Sequence, residues 1–234
     1  MQLWTHYLNS LLNLFLKSNC PLCQRSTPQE FCLDCDRQLQ KCCLPDPKCL
    51  WQNPLPVFAW GRYSGNLKRA IAAMKYENQP QIARHLGKSL GEAWLLNAPK
   101  CDQKLVVVPI PLHANKQKQR GYNQAGIIAQ SFCNITGFKL KLNGLERIRE
   151  TKPQFRLSVY EREENLTQVF ILGKNFPRRP HIQVLLIDDV YTTGATARSA
   201  MQTFRQHGIA VLGLAAAATT QGNRETGRVR NTTT

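Results

Sequence analysis

Apolar residues recur at two periods along this chain, and the switches between them lay out its elements. Val57–Tyr63 and Lys104–Leu112 are β-branched or aromatic runs without polar alternation. They predict buried strands, the second ended by prolines and leading into a loop. Between them Leu67, Ala70, Ile71 and Met74 repeat at i, i+3, i+4 and i+7, and Ile82, Leu86, Leu90, Ala93 and Trp94 mark a second apolar face. Each set is one face of a helix. Ala125, Ile128, Ala129, Phe132 and Cys133 predict a third helix, stopped near Gly137. Val184–Ile187 predicts a short all-apolar strand, and Ala197, Ala200, Met201 and Phe204 a helix that Gly208 ends at the C′ position. Val211–Ala218 predicts the last buried strand. Strands that alternate with helices and lack period-two patterning are covered on both faces. The expected fold class is therefore α/β, with a mainly parallel sheet.

The flanks differ from this body. Residues 1–19 predict an apolar helix that packs on the protein: no Lys or Arg precedes its apolar stretch, and no small-x-small cleavage pattern follows. No apolar run reaches the roughly 18–20 residues of a membrane span. Residues 20–56 hold most of the cysteines and close in a proline-rich linker, Leu44-Pro45-Asp46-Pro47 through Asn53-Pro54-Leu55-Pro56. The α/β pattern occupies 57–220, interrupted by a charged stretch at 147–167 without clear period. Residues 221–234 predict a disordered basic tail.

Seven of the nine cysteines lie between Cys20 and Cys49. Two C-x2-C pairs, Cys20 with Cys23 and Cys32 with Cys35, can bring four thiolates around one ion at tetrahedral geometry, as in a zinc ribbon. A disulfide pair is the alternative, disfavoured where no signal peptide is expected. Four sulfurs leave no open position for a reactive water, so such a Zn²⁺ is structural, and its binding supplies folding free energy to a segment too small for a core. Cys42, Cys43 and Cys49 stay open as spare thiols, a swapped ligand or remnants of a second knuckle. Cys101 and Cys133 stand apart, and Cys133 falls on an apolar helix face, which points to core packing.

Charge narrows the partner class. The formal net charge is +16, and residues 1–60, with five basic and four acidic side chains, account for one unit of it. A basic body of this kind attracts polyanions such as phosphorylated metabolites, nucleic acid or anionic lipid. The strongest chemical motif follows the Val184–Ile187 strand: Asp188, Asp189, Val190, Tyr191, Thr192, Thr193, Gly194, Ala195 and Thr196. A buried strand carries two carboxylates to the carboxyl edge of the sheet, where open α/β sheets bind ligands. The bend after it, small, hydroxylic and opening a helix, forms a phosphate cradle from successive backbone N–H groups. Carboxylates repel a phosphate, so they serve another part of the ligand, such as ribose hydroxyls reached directly or through Mg²⁺. An acidic turn with a Thr-rich helix cap is the plainer reading.

This motif resembles the phosphoribosyl pyrophosphate motif of type I phosphoribosyltransferases. Further segments make the chain similar to one branch, the ComF competence-protein family. They are CPLC…CLDC, Tyr63-Ser64-Gly65 with Met74-Lys75-Tyr76, Val108-Pro109-Ile110-Pro111 and Gln119-Arg120-Gly121-Tyr122-Asn123-Gln124-Ala125, then Lys152-Pro153-Gln154…Leu157…Arg162…Asn165 and the acidic strand, in family order over roughly 20–218. The resemblance implies a phosphoribosyltransferase-like parallel sheet flanked by helices beside a small four-cysteine zinc module. It implies that Asp188 and Asp189 hold ribose hydroxyls and that Thr192–Thr196 bind the 5′-phosphate. Pro109–Arg120, with Ile110 and Pro111, would be the pyrophosphate loop leading into Gly121, with Lys116, Lys118 and Arg120 as counter-charges. Gln154 to Arg162 would be the flexible loop. Tyr122 is either a stacking platform or a packed aromatic at a helix start.

The family association is with natural transformation, the inward passage of single-stranded DNA. The implied setting is the cytoplasm, with phosphoribosyl pyrophosphate or a nucleotide, single-stranded DNA, and a competence helicase and recombination proteins as partners. The alternative is an active Mg²⁺-dependent phosphoribosyltransferase, a glycosyltransferase of nucleotide metabolism or salvage. A third reading is a zinc-ribbon interaction module on a degenerate scaffold, because a phosphate–ribose pocket can outlast catalysis.

Overall fold

A computed structural model describes residues 18–99, 104–149, 169–174, 176 and 182–221. The elements in chain order are β1 (Ser18–Asn19), β2 (Ser26–Thr27), α1 (Leu33–Gln40), β3 (Val57–Arg62), α2 (Gly65–Tyr76), α3 (Pro80–Asn97) and β4 (Lys104–Pro109). They continue with α4 (Ala114–Arg120), α5 (Gln124–Thr136), β5 (Lys139–Leu140), β6 (Leu145–Arg147), β7 (Phe170–Leu172), β8 (Ile182–Tyr191), α6 (Ala195–Gln206) and β9 (Ala210–Thr219). β3, β9, β8, β4 and β5 form, in that order, a five-stranded sheet in which every pairing is parallel. β1 with β2 and β6 with β7 are small antiparallel pairs.

The apolar runs of the strands divide by side-chain alternation. Leu105, Val107, Leu185, Ile187, Ala215 and Ala217 face α2, α3 and α5 in one core. Val106, Val108, Val184, Leu186, Leu214 and Ala216 face α6 and the β6–β7 pair in the other. Both faces are buried, and a continuous apolar run is the result. Helices α3 and α5 approach closely because α3 offers glycines at the crossing: a Cβ on Gly87 would lie 2.4 Å from the Ile128 carbonyl oxygen. Trp94 then packs edge-on against Phe58 and Phe132, at centroid distances of 5.0 and 5.8 Å.

The cysteine segment shares the first core, through Cys20, Leu22, Phe31, Cys35 and Leu39. Polar contacts fasten it to α2 and α3: Arg69 donates to the Leu22 carbonyl, and Arg84 pairs with Glu30 at 3.2 Å. The proline-rich stretch lies along the edge of β3, where Leu44 N–H donates to the Trp60 carbonyl and Val57 N–H to the Leu50 carbonyl. An otherwise open strand edge is covered in this way.

Two elements differ from the expected pattern. The segment Pro109–Arg120, expected as a loop, becomes helical from Ala114 to Arg120. No residue of this helix is buried, so it has no apolar stripe for periodicity to register. His113 caps it by accepting from Asn115 N–H, and Gly121 ends it at φ 81°. The acidic strand is also longer than its apolar core, since β8 runs on through Asp188 and Asp189 to Tyr191. The segment 1–17, Cys101, the 150–168 stretch with Gln154 and Arg162, and the tail beyond Gln221 lie outside the described residues.

Candidate functional site

The order of the strands locates a crevice. From β4 the chain crosses through α5 to β5 on one side, and from β8 it crosses through α6 to β9 on the other. The connections therefore diverge between β4 and β8, and open α/β sheets bind ligands outside the carboxyl ends at such a switch point. Pro109 pairs with Ile187 at that edge, and Ile110 N–H donates to the Ile187 carbonyl at 2.8 Å. The two segments singled out by their motifs, 109–121 and 188–196, thus leave the sheet side by side.

Asp188 and Asp189 are consecutive strand residues, so their side chains leave opposite faces. Asp189 takes the α2 side, where Lys75 Nζ lies 3.0 and 3.1 Å from its two oxygens. The Asp189 and Lys75 side chains are largely covered, 13% and 21% exposed. Burial pulls the Lys75 ammonium down, but the charge and hydrogen bond of Asp189, with Asp188 behind them, outweigh it and hold its pKa above the ordinary lysine range. Burial first, and the Asp189 charge second, push the Asp188 carboxyl up to about 7. The Asp189 N–H, which donates to Asp188 Oδ1 at 2.8 Å, opposes that rise, as do the charges of Lys75 and Arg147. Lys75 and Arg147 are functional candidates that residue patterns miss. Lys75 belongs to the Met74-Lys75-Tyr76 motif, which assigns it no role, and nothing local marks Arg147.

Beyond β8 the bend is open. Thr192, Thr193 and Thr196 are exposed, and Gly194 adopts φ 79° as the cap of α6. That left-handed conformation suits glycine, and space demands it too: a Cβ there would lie 2.8 Å from Arg198 Nη1 and 2.9 Å from the Tyr191 ring. Ala195 is the first helical residue, its N–H directed at Thr193 Oγ1 at 3.5 Å. Gln221 Nε2 donates to the Thr192 carbonyl at 2.6 Å and Thr220 N–H to the Tyr191 carbonyl, which tie the bend to the end of β9.

Across the crevice, Asn123 caps α5 by accepting from Ala125 N–H, and its Nδ2 donates to the Ile110 carbonyl at 3.1 Å. Arg120 donates to Gln124 Oε1 at 2.7 Å, while Lys116 and Lys118 are exposed. Tyr122 is half-buried, and its hydroxyl donates to the Met74 carbonyl. That packing against the end of α2 is the second of its two expected roles. A cavity of about 650 Å³ opens beside the β4 end, lined by residues that include Pro109, Pro111, Asn123, Gln130 and Arg147; Asp188 and Asp189 do not line it.

The cysteine cluster is a separate centre. The sulfurs of Cys20, Cys23, Cys32 and Cys35 all lie within 4.8 Å of one another, and the described cysteines are free thiols. A tetrahedral ion with metal–sulfur bonds near 2.3 Å sets its sulfurs roughly 3.8 Å apart, so the four can hold one metal ion. Cys32 immediately precedes α1 and Cys35 sits in its first turn, where the helix dipole favours thiolate. Arg25 donates to Cys23 Sγ at 3.3 Å and to Cys32 Sγ at 3.7 Å, and its first contact pulls the Cys23 thiol down to about 6. Burial pushes Cys35 up. Cys42 and Cys43 contribute no ligand: Cys42 donates to the Gln38 and Ser64 carbonyls, and Cys43 to Gln40 Oε1. Cys49 is also absent from the cluster. Cys133 is buried in the core, which pushes its thiol up to about 12.

No family model matches the chain. Among solved structures, the chain is similar to adenine phosphoribosyltransferase from Leishmania tarentolae, with 14% identity, 62% of this chain, 59% of that one and a TM-score of 0.37. The Trypanosoma brucei enzyme, solved with AMP, pyrophosphate and ribose-5-phosphate, gives 12%, 78%, 66% and 0.38. The chain thus spans about three-fifths to two-thirds of those chains. Sequence likeness goes further. The chain is 27% identical to the DNA utilization protein YhgH of Escherichia coli K12 over 82% of itself and 86% of that protein. It is 27% identical to competence protein ComFC of Bacillus subtilis over 81% and 72%. Competence protein F of Haemophilus influenzae shares 32% of 205 aligned residues, 84% of this chain and 89% of its own. Identity at that level, sustained over nearly the whole of both proteins, means that this chain belongs to the competence protein F family.

Proposed function

We propose that the protein acts on DNA brought into the cell during natural transformation, from the cytoplasm, through a phosphoribosyltransferase-like site that binds a phosphorylated ribose. The ligand is phosphoribosyl pyrophosphate or a nucleotide phosphate, and single-stranded DNA binds the basic body. One observation carries this reading: the acidic end of β8 and the open bend at Gly194 stand at the switch point of the parallel sheet, facing the 109–121 segment across it. Asp188 and Asp189 would take the ribose hydroxyls, and N–H groups and hydroxyls of Thr192–Thr196 the phosphate. Arg120 would counter a second phosphate group. Mg²⁺, where present, would supply charge neutralisation between the ligand and these carboxylates. The names of the relatives, competence and DNA utilization proteins, support the biological half of the reading. Residues 20–56 serve as the metal-stapled part, Zn²⁺ being the ion a four-thiolate shell suits, and 57–220 as the ligand-binding part. A competence helicase and recombination proteins are the partners this role implies.

Calorimetric titration with phosphoribosyl pyrophosphate and Mg²⁺ tests the site. Micromolar binding that falls at least ten-fold in Asp189→Asn is expected, and no heat at millimolar ligand would overturn it. Single-stranded DNA should bind with a steep inverse dependence on salt, and affinity that ignores salt would remove DNA from the reading. Catalysis is a second reading, favoured by the Asp188 carboxyl, poised near neutrality as proton acceptors are. Pyrophosphate release with a base or amine acceptor, lost in the double change Asp188→Asn, Asp189→Asn, would establish it.

A further inference from the structure

Tyr76 ends α2 and is 79% exposed, although the core side of that helix is already supplied by Leu67, Ala70, Ile71, Ala73 and Met74. Packing does not account for so large an exposed ring, and its surroundings are built rather than incidental. The Arg120 guanidinium stands 5.8 Å from the ring centroid. Arg120 is in turn held at 2.7 Å by Gln124 Oε1, from a side chain only 1% exposed. The Gln124 Nε2 has no hydrogen-bond partner among the described residues. The neighbouring residue, Lys75, grips Asp189 at the sheet edge, and the neighbouring Tyr122 hydroxyl holds the Met74 carbonyl. An exposed aromatic ring, a fixed cation and the acidic sheet edge thus meet at the end of one helix.

We infer that Tyr76, with Arg120 against it, is a stacking platform for an unpaired nucleobase, so that the ligand of this edge carries a base as well as a phosphorylated sugar. The inference rests on the site proposed above and names its ligand class. Every base has a π-face, so a ring of this kind binds without choosing sequence, and a guanidinium on the same ring adds to the stack. Truncating one such ring to Ala weakens binding of base-bearing ligand about ten-fold.

The test compares a single-stranded oligonucleotide with an abasic strand of equal length, in the full chain, by fluorescence anisotropy. Wild-type protein should prefer the base-bearing strand about ten-fold. Tyr76→Ala should erase that preference, Tyr76→Trp should keep it, and the affinity for base-free phosphoribosyl pyrophosphate should stay within two-fold in both. AMP separates the two sources of the base: competition with the strand assigns a free nucleotide, and indifference to AMP with the Tyr76 effect intact assigns the strand. A preference that survives Tyr76→Ala, an equal loss for both strands, or wild-type protein that binds neither would overturn the platform. Base preference without phosphoribosyl pyrophosphate binding would defeat only the sugar–phosphate site, and the reverse result only the platform.

Discussion

The cysteine cluster and the sheet edge assemble their groups over very different spans of chain. Four sulfurs come from two knuckles between Cys20 and Cys35, within reach of one hairpin and one helix turn. At the sheet edge, Lys75 meets Asp189 across 114 residues, and Arg120 meets Tyr76 only because α2 and α4 end near each other. The first site is local and its four sulfurs can hold one metal ion; the second is assembled by the fold. Local spacing therefore reveals ligands of a metal, whereas topology reveals partners of a charge.

The largest effect should come from removing the metal. Structural zinc contributes on the order of 10 kcal/mol in small thiolate modules. Here the segment also fills part of the main core, through Leu22, Phe31 and Leu39. Chelation, or Cys20→Ser, should lower stability by several kcal/mol and move the melting of the sheet as well. Zinc content near one per chain should fall together with the thermal midpoint. A chelated protein that melts unchanged would mean that the core, rather than the ion, holds the segment.

Next is the pair on which the edge depends. Lys75→Met leaves the Asp189 carboxylate covered and uncompensated, at a cost of about 3 kcal/mol. The double variant Lys75→Met, Asp189→Asn removes both charges and should recover most of that loss in urea denaturation. No recovery in the double variant would mean that the lysine acts through packing instead.

These contrasts match what is legible in the chain. The central strands and the helices at 65–76, 80–97, 124–136 and 195–206 are readable because burial imposes a period. Helix α4 is not, since it buries no residue, and α1 buries only Cys35 and Leu39. The location of Asp188, Asp189 and the bend after them at a strand end is readable for the same reason as the strand. Lys75 opposite Asp189, Arg147 near Asp188 and Tyr76 under Arg120 are not, because each depends on which elements become neighbours. No local spacing encodes that.

A smaller effect separates the two carboxylates. Asp188 titrates near 4 when unfolded and at about 7 in the fold, so the folded state keeps its proton between those values. Stability from this group therefore falls as pH rises through 4 to 7, and the ionised form is disfavoured above it. Asp188→Asn should stabilise the protein by about 1–3 kcal/mol at pH 8 and by no more than a few tenths at pH 4. Urea midpoints that stay parallel from pH 4 to 8 would show that burial does not act on Asp188. Ligand affinity should move the opposite way, rising with pH in the native protein as the carboxylate forms.

The smallest effect isolates the bend. Gly194→Ala must hold an L-residue at φ 79° and also displace Arg198 and the Tyr191 ring. Gly121→Ala meets the same backbone cost at φ 81°, but nothing lies within 4 Å of its Cβ. Both should lose about 1 kcal/mol from the left-handed backbone alone. The excess at Gly194, a further few tenths to about 1 kcal/mol, measures how firmly Tyr191 and Arg198 are seated. Because Arg198 stands in the first turn of the helix that the bend opens, moving it should also weaken binding of a phosphorylated ligand, whereas a Cβ at Gly121 displaces no neighbour. Equal stability losses would mean that those two side chains yield freely, and that the bend is shaped by its glycine alone.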